Sequence, residues 1–131
     1  MRIPSTRQEA RASARALASA RVALGVTALA LPRLPARPWV GPDASRPSVG
    51  VLARALGARD VALGVGALVA MGHDGPVRGW LEAGGLADAG DVAATLLAWR
   101  SAPRFGRWLV LGAATGGAVA SAVLARLVDQ A

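Results

Sequence analysis

The feature that most constrains this chain is an uncharged apolar segment near its end. Residues 108–125, WLVLGAATGGAVASAVLA, contain no charged residue, and Arg107 and Arg126 flank them. A helical segment of this length is about what is needed to cross the hydrocarbon core of a bilayer. The chain is 53% hydrophobic but has one Phe and no Tyr, which suits closely packed membrane helices better than a soluble core. The segment therefore predicts a membrane span.

Three more apolar segments predict three more spans in one membrane domain that covers residues 1–131. The expected spans are about 14–31, 49–71, 77–99 and 108–128. Five prolines in 32–48 predict an extended loop, because proline cannot continue a helix. The links between the later spans are short, so neighbouring spans should be antiparallel. We therefore expect an all-α fold, an integral membrane four-helix up-down bundle.

The first of these segments also resembles a secretory signal peptide, because a basic start precedes an apolar run and then prolines. No convincing cleavage site follows it, and we favour a helix that is retained. The flanking arginines give little information on orientation, with six on the side of the termini and seven on the other. The arginine-dense start favours cytoplasmic termini.

Five charged residues interrupt the first three predicted spans, close to their midpoints. A charged side chain at the centre of a span costs about 2.5–3.5 kcal/mol, so unpaired charges at this depth would be unfavourable. The guanidinium fork matches a carboxylate, which predicts that the arginines of the second and first spans hold aspartates of the third. The expected polar cluster consists of Arg21, Arg59, Asp60, Asp88 and Asp91.

Two interpretations of this cluster stay open. It is either a buried polar network that fixes helix register, or a functional site, since ionisable residues inside spans often mark one. Two arginines and three aspartates leave one negative charge, which would hold a proton, a cation or a basic ligand group. Three functions follow: a structural or assembly component, a membrane enzyme acting on a lipid or isoprenoid substrate, and an oligomeric carrier or proton pathway. The first of these functions requires the fewest assumptions. Whether the protein is an enzyme stays open.

Small residues recur along one face of the fourth span. Gly112, Gly116 and Ala120 follow a four-residue spacing that allows close approach of a second helix. This face predicts helix packing, and it also fits a homo-oligomer or a larger membrane complex.

Several classes of site and partner are excluded or disfavoured. The chain has no Cys, and no metal-binding or phosphate-loop motif is found, so neither a metal nor a cofactor is predicted. The net charge of +7 could indicate a nucleic-acid partner. The arginines are spread along the chain, however, without the aromatic neighbours on which bases would stack. Membrane lipids are the expected partners, because arginine at span ends faces lipid phosphates.

Two segments are informative together: ALGARDVALGVGAL, residues 55–68, and AGGLADAGDVAATLL, residues 83–97. They resemble a group of small four-span actinobacterial membrane proteins known mainly as a domain of uncharacterised function. The resemblance covers about residues 16–128. It implies a multi-pass protein of the bacterial plasma membrane, with the polar cluster as a shared feature, and it implies no activity. The residues that carry it lie in ALGARDVALGVGAL and AGGLADAGDVAATLL, and they are Gly57, Arg59, Asp60, Gly64, Asp88 and Asp91.

Overall fold

A computed structural model describes residues 6–128, and it is helical throughout apart from short links. Over this range five α-helices and one 3-10 helix follow each other along the chain, and the prediction of an all-α fold is confirmed. In chain order they are α1 (Arg7–Ala30), α2 (Arg33–Val40), the 3-10 helix (Gly41–Ser45), α3 (Pro47–Gly72), α4 (Arg78–Leu97) and α5 (Arg104–Leu127).

Helix α1 begins earlier than the span predicted from about residue 14. Its start is set by Thr6, whose side-chain oxygen accepts a hydrogen bond of 3.2 Å from the backbone N–H of Glu9. Threonine at this position with glutamate three residues later is the pattern of a helix N-terminus. The helix therefore includes the basic turns that hydropathy alone left outside the span.

Helices α1 and α3 run antiparallel and form the first helix pair. Glycines bring their backbones together: a Cβ at Gly25 would lie 2.5 Å from the carbonyl oxygen of Gly57. Seven residues further along α3, a Cβ at Gly64 would lie 2.6 Å from the carbonyl oxygen of Ala18. Contacts of this kind explain why an alanine- and glycine-rich sequence can pack two long helices without large side chains.

Helices α4 and α5 form the second helix pair, again antiparallel. A Cβ at Gly85 would lie 3.0 Å from the Cβ of Ser121, so these helices also approach closely. Arg7 Nε donates to the carbonyl oxygen of Val128 at 3.3 Å, which places the start of α1 beside the end of α5. An apolar core closes this end of the bundle, and it includes Ala10, Ala14, Met71, Val77, Leu124 and Val128.

The proline-rich segment is not the extended loop that we expected. Pro35 and Pro38 lie in α2 and Pro42 lies in the 3-10 helix, while Pro32 precedes α2 and Pro47 begins α3. The axis of the α2 segment is bent by 94° from α1. Proline is compatible with the first turn of a helix, where its missing N–H has no intrahelical partner, as at Pro35, whereas Pro38 lies inside α2, which has only 8 residues. Gly106 of α5 lets the segment dock, because a Cβ there would overlap the carbonyl oxygen of Pro38.

Among the described helices, α3 and α5 are long and apolar enough to cross a membrane. A third span results if α1 and the bent segment after it are counted together. Helix α4 does not meet this standard by itself, since Glu82, Asp88 and Asp91 lie within its 20 residues. The protein is thus helical with two or three membrane-competent segments, and the third predicted span, about 77–99, stays a prediction.

Candidate functional site

The five charged residues singled out in the sequence come together where the two helix pairs meet. The first pair contributes Arg21 from α1 and both Arg59 and Asp60 from α3, and α4 contributes Asp88 and Asp91. Asp60 lies midway along α3 and Asp88 midway along α4. We call this set the charged cluster.

Arg21 lies in the most buried part of the charged cluster. Its Nη2 donates to Asp88 Oδ2 at 2.6 Å and its Nη1 donates to Asp88 Oδ1 at 3.2 Å, which is a two-bond fork. Nη1 also donates to Asp60 Oδ1 at 3.1 Å. The exposed fractions of the Arg21, Asp60 and Asp88 side chains are 10%, 11% and 12%. One guanidinium therefore joins three helices in a site that water scarcely reaches.

Arg59 makes the same kind of fork nearer the surface. Its Nη1 and Nη2 donate to the two carboxylate oxygens of Asp91 at 3.1 and 2.9 Å. Nη2 also donates to Asp60 Oδ1 at 3.3 Å, so this one oxygen accepts from both arginines. The Arg59 and Asp91 side chains are 30% and 20% exposed. The charged cluster thus runs from a buried end at Arg21 to a partly exposed end at Arg59.

Helical spacing explains why these residues can meet. Asp88 and Asp91 are three residues apart and therefore share one face of α4. The same face carries Thr95, which is fully buried and accepts a hydrogen bond of 3.1 Å from the indole N–H of Trp39. The face thus binds the first helix pair at its centre and α2 at its end. The sequence analysis did not predict this bond.

The sequence analysis did not assign two glycines, Gly84 and Gly117, to the surroundings of the charged cluster. A Cβ at Gly84 would lie 3.2 Å from Nη2 of Arg21, and a Cβ at Gly117 would lie 2.5 Å from Oδ2 of Asp88. These glycines leave space for the arginine and the aspartate between the helices. Their position opposite charged residues at mid-helix is the signal that could have identified them.

The small-residue face of α5 is not used as predicted within the chain. Gly112 and Gly116 are exposed, and within residues 6–128 no neighbouring atom would lie within 4 Å of a Cβ at either position. Ala120 is partly buried. Gly112 and Gly116 therefore do not pack against another described helix of this chain, whereas Gly117 faces Asp88, and packing of a second helix on this face stays a prediction. The buried residues of α5 are Gly106, Ala114, Ser121, Leu124 and Ala125.

A small cavity lies beside the buried end of the charged cluster. Its volume is about 10 Å³, which is roughly the space that one water molecule needs. Arg21, Gly64, Trp80 and Ser121 are among the residues that line it. In the described part of the chain, no group of three or more His, Asp or Glu residues is arranged to hold a metal ion.

Comparisons with models of known protein families, with curated proteins and with solved structures found no match. The resemblance to a four-span actinobacterial group stays a prediction. Function therefore has to be argued from the charged cluster and from the surfaces of the bundle.

Proposed function

We propose that this chain is a small integral membrane protein with a structural or assembly role, in which the charged cluster joins two helix pairs. The observation that carries the proposal is a pair of two-bond forks across the interface. Arg21 holds Asp88, and Arg59 holds Asp91. Each fork links an arginine of the first helix pair to an aspartate of α4.

The charges on the two sides of this interface are complementary. The first helix pair brings two arginines and one aspartate, and α4 brings two aspartates. Apolar small residues can slide past one another at little cost, whereas a fork formed one turn out of register would leave its charges unpaired. A buried polar contact can therefore select a single register. This selection is the structural role that we assign to the charged cluster.

The membrane placement is supported by α3 and α5, which are long and apolar enough to span. Helix α3 has 26 residues and is therefore about 39 Å long, which exceeds a hydrocarbon core of about 30 Å. Since α1 packs along α3 and α4 packs along α5, all four would share the same slab. The charged cluster, midway along α3 and α4, would then lie near the bilayer midplane.

The assembly role is supported by the face of α5 that the bundle leaves free. Gly112 and Gly116 are exposed there, and such a surface allows a second membrane helix to approach closely. The occupant would be a second copy of this chain or a helix of a larger membrane complex.

Native mass spectrometry of the protein released from lipid nanodiscs tests this role. We expect copies of the chain or partner subunits to remain bound to the natural sequence. Gly116→Leu should remove them, whereas Ala122→Leu, an exposed small residue on another face of α5, should leave them bound. A protein that is monomeric and without partner subunits under these conditions would contradict the assembly role.

A second candidate, passage of protons or cations, has one observation in its favour. The charged cluster carries a formal charge of −1, and its side-chain exposure rises from 10% at Arg21 to 30% at Arg59, so one end opens onto the surface of the bundle. Liposomes with an entrapped pH-sensitive dye test it. Proton flux above that of empty liposomes, lost in Asp60→Asn, would support passage, and flux equal to that of empty liposomes would reject it.

The enzymatic alternative has less support. A cavity of about 10 Å³ beside the charged cluster takes a water molecule and not a lipid or isoprenoid chain.

A further inference from the structure

The two ends of the bundle differ in how their arginines are satisfied. At the end formed by α2, the 3-10 helix and the α4–α5 link, the side chains of four exposed arginines have no hydrogen bond or ion pair with any other residue in 6–128. Two are in α2 and two are at the α4–α5 link. We call this set the basic face, and it consists of Arg33, Arg37, Arg100 and Arg104.

The remaining charges at this end do not neutralise the basic face. Asp43 is the one acidic residue among the described residues there, and Arg46 holds it at 2.9 Å. Arg107 is also engaged, since its Nη1 donates to the carbonyl oxygen of Trp99 at 3.0 Å and its guanidinium lies over the Trp99 ring. The basic face therefore presents four positive charges without a counter-charge of its own.

The opposite end is balanced in a different way. Arg78 and Glu82 form an ion pair of 2.7 Å, and Arg11 lies 3.6 Å from Asp74. Arg15 and Arg126 are also exposed toward this end, without a side-chain partner in 6–128. Three described acidic residues, Glu9, Asp74 and Glu82, lie at the end where α1 begins, whereas Asp43 is the one described acidic residue at the end where α2 lies. The asymmetry points to an anionic partner at the basic face.

The fold places the basic face at the level of lipid headgroups. The α2 segment is bent by 94° from α1, so it lies along the membrane surface if α1 crosses the bilayer. It is held against the link, because a Cβ at Gly41 would lie 3.1 Å from Cγ of Pro103. Exposed apolar side chains lie next to the arginines, with Leu34 62% and Phe105 80% exposed. An apolar surface flanked by arginines is the pattern of a helix that rests in the interface.

We propose that the basic face binds the phosphate groups of anionic phospholipids, an inference that rests on the membrane placement proposed above. Arginine binds phosphate oxygens in a two-bond geometry, and several arginines at a bilayer surface add their attraction. The neighbouring Leu34 and Phe105 would contact acyl chains. A soluble phosphate compound would lack that apolar contact and would bind more weakly.

The full chain is first incorporated into nanodiscs of pure phosphatidylcholine, which tests membrane insertion alone. The same chain in neutral detergent is then titrated with phosphatidylglycerol or with phosphatidylcholine, and bound lipid is counted by native mass spectrometry. We compare Arg33→Gln/Arg37→Gln and Arg100→Gln/Arg104→Gln with the natural sequence. The matched control is Arg15→Gln/Arg126→Gln, which removes two exposed arginines away from the basic face.

We expect phosphatidylglycerol to bind in preference to phosphatidylcholine. Each basic-face pair should weaken that binding about twenty- to thirtyfold, since one arginine near a surface contributes about fivefold. The control pair should change it less than threefold. Equal losses of phosphatidylglycerol binding in all three variants would overturn the proposal. So would binding of glycerol phosphate, a soluble phosphate compound, as strong as that of phosphatidylglycerol. Failure to enter nanodiscs at all would instead refute the membrane placement.

Discussion

The fork between Arg21 and Asp88 offers the sharpest test of how the two helix pairs are held together. Arg21→Met keeps an unbranched side chain but leaves Asp60 and Asp88 without the guanidinium that both now contact. Removing one partner of a buried ion pair typically costs about 3–5 kcal/mol, because the other charge stays buried without compensation. With side chains 10% and 12% exposed, this pair belongs to the buried class.

The charge count of the cluster predicts that the two single substitutions are unequal. Arg21→Met would leave one arginine among three aspartates, a formal charge of −2. Asp88→Asn would leave two arginines and two aspartates, which is neutral. We therefore expect Arg21→Met to lower the free energy of unfolding by more than Asp88→Asn does. The double variant should be less damaged than the sum of the two, with a coupling of about 1–3 kcal/mol.

The measurement is reversible unfolding in mixed micelles, followed by tryptophan fluorescence for each variant. The control cycle uses Arg78 and Glu82, whose side chains are 57% and 52% exposed. An exposed pair of this spacing should give a coupling of about 0.3–0.5 kcal/mol. Additive losses at Arg21 and Asp88, with no more coupling than in the control, would refute the idea that this fork joins the helix pairs.

Three other predictions follow from particular contacts. A cycle between Arg59 and Asp91 should give a smaller coupling than the one between Arg21 and Asp88, because these side chains are 30% and 20% exposed; the same unfolding assay measures it. Gly117→Ala should destabilise the protein, since its Cβ would lie 2.5 Å from Asp88 Oδ2. Gly116→Ala has free space around its Cβ and should be neutral or stabilising by up to about 1 kcal/mol. Thermal unfolding compares the two variants. Reporters that are active only in the cytoplasm, fused to each end of the chain, should give the same reading. Opposite readings would contradict the placement of the start of α1 beside the end of α5.

The sequence allowed the charged cluster to be anticipated because the cost of burying charge is large compared with other local effects. Charges at mid-span are tolerable in lipid when paired, and the third predicted span supplied two aspartates on one helical face. The choice of partners was left open between Asp88 and Asp91. In the structure each arginine takes one of them and Asp60 lies between the arginines. That choice depends on helix rotation, which hydropathy does not report.

The features that were missed depend on contacts between distant residues. The prolines of 32–48 suggested a loop, yet the segment is helical because Gly106 leaves space for it and Thr95 accepts a hydrogen bond from Trp39. The glycines of α5 offered several equivalent faces with four-residue spacing. Contacts such as that of Asp88 with Gly117 decide which face turns inward. Local pattern could identify the helix but not its rotation.

Asp60 is the residue through which the structural role and the passage of protons can be separated. Its Oδ1 accepts from both arginines, whereas its Oδ2 has no hydrogen-bond partner within the described chain. Asp60→Asn would remove the surplus negative charge while leaving both forks in place. If the charged cluster only joins helices, this variant should unfold no more easily than Asp88→Asn and should assemble normally. If the surplus charge carries protons, the same variant should assemble normally but lose flux in liposomes. A loss of stability in Asp60→Asn greater than that in Asp88→Asn would contradict both, because it would mean that Asp60 itself, and not the two forks, holds the helix pairs together.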